Sequence, residues 1–182
     1  MTHPFYVNPN GDLHIEAIVR AQAVKRWHMI DTTRMQSVAE HSANVAMLMY
    51  YISHHAPQAY FGSPAGAALS GLLHDISEAF TGDIPGHTKR ELQGIDELES
   101  RLTPPTLTYK VSDSVGLLMK LCDLADGVRF ISAHGVGTDA GWARDCLIKK
   151  LNDKKAQATA EWPQVVYNSV VAKIDNYIWG SA

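Results

Sequence analysis

The stretch "LLHDISEAFTGDIP", Leu72 to Pro85, constrains the fold most. It begins as the end of an apolar helix. His74 and Asp75 then stand side by side, with Glu78 three residues on. Burying a polar group without a partner costs roughly 2–7 kcal/mol, and a charge costs more. The chain must therefore bring compensating groups to this point from elsewhere in the sequence.

Helical periodicity dominates the rest. A first helix is expected from Gly11 to about Val24, followed by an irregular connector, "RWHMIDTTRMQ". Ser37 is placed to cap a second helix, with Glu40 at the capping-box position. His41, Val45, Leu48 and Ile52 recur on one face of that helix, and Pro57 ends it. Ser63-Pro64 opens a third helix, expected to run through Phe80 and stop at Gly82. A fourth spans Lys89 to Arg101, ahead of the break at "TPPT". A fifth covers Asp113 to Ala133, with Lys120, Asp123 and Asp126 forming a polar edge. A sixth covers Ala140 to Asp153. A seventh starts at Trp162-Pro163 and carries Val166, Val170, Ile174 and Ile178. No strand-like alternation is found. The expected fold is all-α, one domain over residues 1–182, with helices packed around a central site.

Bulk properties narrow the function classes. A net charge of −3 and a pI near 6.3 argue against a general binder of nucleic-acid polymers. Cys122 and Cys146 form no CxxC pair and read as reduced core thiols. No apolar run is long enough to span a bilayer and no signal peptide is seen, so a soluble cytoplasmic protein is expected.

His41, the His74-Asp75 pair and Asp123 lie on three separate predicted helices. Imidazole nitrogen and carboxylate oxygen suit Zn²⁺, Mn²⁺, Fe²⁺ or Co²⁺. One divalent cation would give these groups a shared charge partner and leave positions open for water and substrate. Taken alone, His41 reads better as a hydrogen-bonded core histidine, and a lone His-Asp pair is weak; the constellation is what carries weight. Asp126 rivals Asp123 as the last ligand. His54, His55 and His134 have no such context and read as surface or loop residues.

The motifs "RW" at Arg26-Trp27, "SVAEHS" around His41, "LLHDISEAFTGDIP" and "KLCDLAD" together resemble the HD-domain metal phosphohydrolases. The branch resembled is that of the YfbR-like 5'-deoxynucleotidases, with the related phage dATP triphosphohydrolases. The likeness runs from about Val24 to Phe130; the last fifty residues match no motif. It implies an HD-domain helical bundle in which His41, His74, Asp75 and Asp123 hold one divalent ion, with K-x-x-D falling on Lys120 and Asp123. It implies Glu78 as general acid/base, and Arg26, Lys89 and Lys120 on substrate phosphate, with Arg90 the rival of Lys89. Trp27 falls where a ring packs against the sugar and excludes a 2'-hydroxyl, and Asp83 where a carboxylate accepts from the 3'-hydroxyl. Met29 is placed to press on a purine edge.

The implied activity is hydrolysis of 2'-deoxynucleotide phosphates by metal-activated water. The reading leans to a dATP-type triphosphohydrolase, because Lys89, Arg90 and Lys120 supply charge for a longer phosphate chain. The alternative is a 5'-deoxynucleotidase acting on monophosphates. Further alternatives are a cyclic-nucleotide phosphodiesterase, for which only His54 and His55 are spare, and a helical interaction module without chemistry. The resemblance also implies a homo-oligomer, located in the host cytoplasm if the chain is phage-encoded.

Overall fold

A computed structural model describes residues 15–57, 60–108 and 110–180. Of the first expected helix, residues 11–14 lie outside the described residues. The remainder forms a short α1 (Ile15–Val19) and a 3-10 turn over Arg20–Gln22.

The capping signals place the next helices well. Ser37 accepts from the Glu40 backbone N–H and starts α2 (Val38–His54). The Glu40 carboxylate turns outward to Arg34, at 2.7 and 3.0 Å, making an ion pair with the connector. Ser63 caps α3 (Pro64–Leu73) in the same way, with Pro64 in the first turn, where its missing N–H is not needed.

Four expectations need correction. The third helix does not run unbroken to Phe80. After Leu73 the backbone tightens to i→i+3 bonds, Ile76 N–H to Leu73 O and Glu78 N–H to Asp75 O at 3.1 and 3.0 Å, before a single turn α4 (Glu78–Thr81). The sequence between Lys89 and Arg101 is likewise two helices, α5 (Gly86–Glu91) and α6 (Ile95–Leu102). Gly94 at φ +77° breaks them, a conformation that glycine adopts without steric cost. The connector is not irregular throughout, nor is the chain free of strands. Lys25–Arg26 (β1) pairs antiparallel with Gln36–Ser37 (β2). Two residues per strand are too few to show a period of two. Finally, the sixth helix is longer than expected: α8 runs from Gly137 to Glu161.

A 3-10 turn at Pro105–Leu107 precedes α7 (Asp113–His134), and α9 (Gln164–Trp179) closes the chain. The main core is built where α2, α7, α8 and α9 meet. Val45, Met49 and Ile52 face Leu118, Leu121, Ala125 and Val128, with Leu151, Val170 and Ile174 behind them. Each such aliphatic chain, fully buried, contributes about 1.5–3 kcal/mol. A smaller cluster of Ala21, Val38, Ile76, Ala79 and Phe80 anchors α4. The two clusters flank the segment that carries His74, Asp75 and Glu78. No helix of the described residues is long and apolar enough to cross a membrane.

The approach of α3 to α2 depends on Gly71. A Cβ there would lie 2.8 Å from Met49 Sδ and 3.1 Å from Ala46 Cα. The thioether can move, but the α2 backbone cannot without shifting His41. Gly71→Val is therefore expected to destabilise the metal-free protein by about 1–3 kcal/mol through overpacking. The urea midpoint in chelator measures it; an unchanged midpoint would mean the α2–α3 contact is looser than its geometry.

Candidate metal centre and catalytic pocket

His41 sits one turn into α2 on its core stripe and is wholly buried. Its Nδ1 lies 2.6 Å from Asp126 Oδ2. His74, at the end of α3, points its Nδ1 at the Gly71 carbonyl, 2.7 Å away. A carbonyl and an ionised carboxylate only accept, so both rings carry their proton on Nδ1 when neutral. Both Nε2 atoms then present a lone pair. They are buried and make no well-formed hydrogen bond among the described residues.

Carboxylates surround those lone pairs. Asp75 Oδ2 is 3.1 Å from His74 Nε2 and 3.6 Å from His41 Nε2. Asp123 Oδ1 is 3.2 Å from His41 Nε2. One ligand atom each from His41, His74 and Asp75 lies within 4.8 Å of the others. Two acceptor nitrogens facing two acceptor oxygens is an arrangement that lacks a positive charge at its centre. The donor set of two imidazoles and two carboxylates fits one divalent cation, with its outer hydrogen bonds already made. Asp126 lies on the Nδ1 side of His41 and Asp123 on the Nε2 side. The polar edge expected on α7 is therefore split: Asp126 is inside the fold, and the partly buried Asp123 pairs with the exposed Lys120.

The electrostatics follow from this crowding. Burial pushes the Asp75 carboxyl up, but His74 beside it and Arg26 outweigh that and hold it down at about 2. Asp123 is likewise held well below the usual range: burial is more than offset by the His41 ring and the Lys120 ammonium. Burial opposes a charge on His74, yet the Asp75 carboxylate raises its pKa overall. Glu78 behaves oppositely. Burial, then the Asp75 and Asp83 carboxylates, push it up to about 9. Asp83 is raised too, first by burial. The i→i+3 backbone bonds after Leu73 matter here, since at three residues per turn Asp75 and Glu78 fall on one side.

The other expected residues line the same region unevenly. Arg26 Nη1 is 3.4 Å from Asp75 Oδ2. Asp83 Oδ2 is 3.8 Å from His28 Nδ1. Lys89 is held by both oxygens of Glu99 on α6, at 2.7 and 2.8 Å, while Arg90 is exposed. Met29 stands 62% exposed in the loop between β1 and β2. His54 and His55 are exposed at the end of α2, and His134 accepts from Arg34 and pairs with Thr33.

Trp27 adopts φ +62°, which a bulky residue takes at a cost of about 1–3 kcal/mol unless its surroundings fix it. They do. Its ring lies parallel to Phe130 at 6.2 Å, and its Nε1–H donates to Gln36 Oε1 at 3.0 Å. Gln36, Asn44 and Tyr177, all bound to the site through Asp126, were not singled out by sequence reasoning. Asn44 follows His41 by three residues on α2, a spacing that places them on adjacent faces and was readable. Gln36 and Tyr177 give no local signal.

Comparison with known proteins places this geometry. A sequence profile of the YfbR-like 5'-deoxynucleotidases matches residues 14–103. A dATP triphosphohydrolase of Salmonella phage PMBT28 is 34% identical over 129 residues, 66% of each chain. One of Acinetobacter phage SH-Ab 15497 is 31% identical over 140 residues, 68% of each chain. A 5'-deoxynucleotidase of Cronobacter sakazakii is 33% identical over 72 residues, 38% of this chain and 36% of that one. In fold, the chain is similar to the HD phosphohydrolase DatZ of Cyanophage S-2L, solved with dA and one catalytic Zn²⁺ ion. The TM-score is 0.77 at 24% identity, covering 93% of this chain and 99% of that one. With a helical bundle in which His41, His74-Asp75 and Asp123 come together in the motif order H…HD…D, the chain belongs to the YfbR-like HD-domain phosphohydrolases and is a relative of the phage dATP triphosphohydrolases.

Proposed function

We propose that this chain hydrolyses 2'-deoxynucleotide phosphates, with deoxynucleoside triphosphates of the dATP type as substrates and one divalent cation held by His41, His74, Asp75 and Asp123. The observation that carries the reading is the pair of buried Nε2 atoms, without a hydrogen-bond partner among the described residues, that face two carboxylates. Zn²⁺, Co²⁺, Mn²⁺ and Fe²⁺ all suit that donor set. Bound there, the ion supplies Lewis acidity toward a phosphoryl oxygen and makes water a competent nucleophile near neutral pH.

The chain's own residues do the rest. Arg26 uses one guanidinium nitrogen on Asp75, leaving other donors to offset charge growing on the phosphoryl oxygens. Lys120 stands beside Asp123 with the same capacity. Glu78, held protonated at neutral pH and with Oε2 buried and unpartnered among the described residues, is the proton donor for the departing 5'-oxygen of the nucleoside. Trp27 packs against the sugar where a 2'-hydroxyl would clash, and Asp83 accepts from the 3'-hydroxyl. Met29 is free on its loop to reach a base edge.

Mono- and triphosphate readings share this chemistry, since the same bond from the α-phosphorus to the 5'-oxygen breaks in each. The charge argument for a triphosphate is weaker in three dimensions, because Glu99 already neutralises Lys89. Support for dATP comes instead from the phage enzymes, whose likeness extends over 66–73% of this chain against 36–40% for the bacterial nucleotidases. The family profile supports the monophosphate reading. A homo-oligomer is supported by the exposed apolar face of α2 that carries Met47, Tyr50 and Tyr51.

Four outcomes are expected. A product-resolved screen of deoxy- and ribonucleotides with each metal should yield tripolyphosphate from dATP; release of inorganic phosphate from dAMP alone would select the nucleotidase. Asp75→Ala should lose bound metal and activity together, and full activity without metal would end the reading. Glu78→Gln should keep its metal but lose roughly 10²–10⁴ in kcat. The same variant tests the raised pKa. A carboxyl at about 9 when folded and near 4.5 when unfolded binds more protons in the native state, so its contribution to stability falls as pH rises between those values. In chelator, Glu78→Gln should therefore gain on the natural protein from pH 5 to pH 9, read from urea midpoints.

A further inference from the structure

Asp126 is 2% exposed and receives four hydrogen bonds among the described residues. His41 Nδ1 and Gln36 Nε2 donate to Oδ2 at 2.6 and 2.7 Å. Asn44 Nδ2 and the Tyr177 hydroxyl donate to Oδ1 at 2.9 and 2.7 Å. The donors come from α2, β2 and α9, so one carboxylate on α7 ties three elements together. An ionised carboxylate offers about four acceptor positions; all are in use, and none faces the ion site.

Gln36 extends the hub. It is 1% exposed, and its amide has one satisfying orientation. The Trp27 indole N–H can only donate and the carboxylate can only accept, so Oε1 faces Trp27 and Nε2 faces Asp126. The left-handed backbone at Trp27 fixes the ring only if its edge and its face are held. Gln36 holds the edge, and Phe130 stacks on the face.

We propose that Asp126 is the positioning residue of this centre. Through one hydrogen bond it aims His41 at the cation, and through Gln36 it locks the Trp27 ring against the sugar. Metal affinity and rejection of ribonucleotides are then set by a single buried carboxylate, on two separable arms. Tyr177 of α9 steadies the carboxylate from behind, which gives the C-terminal helix a part in the site. The inference rests on the reading above, in which His41 binds the ion and Trp27 faces the sugar.

Three variants of the full chain separate the arms. Gln36→Leu cuts the Trp27 arm and leaves the His41 bond. It should retain the natural Zn²⁺ or Co²⁺ affinity, while the ratio of kcat/KM for dATP over ATP falls by about tenfold or more as the ring moves. Asp126→Asn disturbs both arms, because an amide has one acceptor oxygen and puts an NH2 donor against the other pair of donors. Cation affinity should fall about 10–100-fold and the ratio should fall too. Should that variant fail to fold, Tyr177→Phe, which keeps the ring, loosens the same carboxylate; it should weaken cation binding several-fold and lower the dATP-to-ATP ratio by less than Gln36→Leu does. A role in stability alone would lower urea midpoints without moving either readout. An unchanged ratio in Gln36→Leu overturns the proposal, as does natural cation affinity in either Asp126→Asn or Tyr177→Phe. If the natural protein itself binds no cation or does not discriminate dATP from ATP, the reading underneath fails first and takes the proposal with it.

Discussion

A buried imidazole has two nitrogens to satisfy, and the molecule satisfies one of each pair. His41 Nδ1 is fixed by a carboxylate on α7, and His74 Nδ1 by a carbonyl of its own helix. The other nitrogen of each ring is left facing acids. This division decides the rest. It requires α2 and α7 to cross at His41 and Asp126, and α3 to end within reach of both. It also makes an open, acidic gap at the meeting point of three helices, in a fold whose other contacts there are aliphatic.

Such a gap opposes folding unless charge is brought in. Asp75, Asp123, Glu78 and Asp83 gather beside it, and among the described residues Arg26 pairs with Asp75, Lys120 with Asp123 and His28 approaches Asp83. The protein resolves the excess in two ways. Asp75 and Asp123 stay ionised because imidazoles and cations touch them. Glu78 keeps its proton, because burial and the neighbouring Asp75 and Asp83 carboxylates outweigh the more distant Arg26 and Lys89. Two acids three residues apart on one tightened turn thus hold opposite protonation states at neutral pH. In the proposed reaction that difference lets one bind the ion while the other delivers a proton.

Much of this was legible in the chain. Ser37 and Ser63 announced their helices, and the stripe through Val45, Leu48 and Ile52 placed His41 inside. Asp123 was told from Asp126 only by resemblance; in space the two lie on opposite sides of one ring. What stayed hidden has physical reasons. The tightening after Leu73 falls where no glycine or proline marks it in the sequence. The β1–β2 pair is too short for a pattern. Lys89 is expected on phosphate by resemblance, and its pairing with Glu99 gives no local signal, since Glu99 lies ten residues on, across the break at the left-handed Gly94.

The C-terminal part poses the sharper question, since the family profile ends at residue 103 and no motif was found beyond Phe130. Asp123 and Asp126 fall past the profile, and Tyr177 falls past every motif. Yet α9 packs Val166, Val170, Ile174 and Ile178 into the main core, and that same stripe sets the rotation of the helix. Tyr177 stands next to Ile178 and three residues from Ile174, so the burial of aliphatic side chains fixes where its hydroxyl reaches. Arg129 adds a hold from α7, its guanidinium 4.5 Å from the Tyr177 ring and bonded to its carbonyl at 3.2 Å. A segment without a catalytic motif thereby fixes a hydrogen bond two links from the ion site. Apolar side chains of several kinds fill such a stripe equally well, so the segment can diverge in sequence while the hydroxyl stays in place.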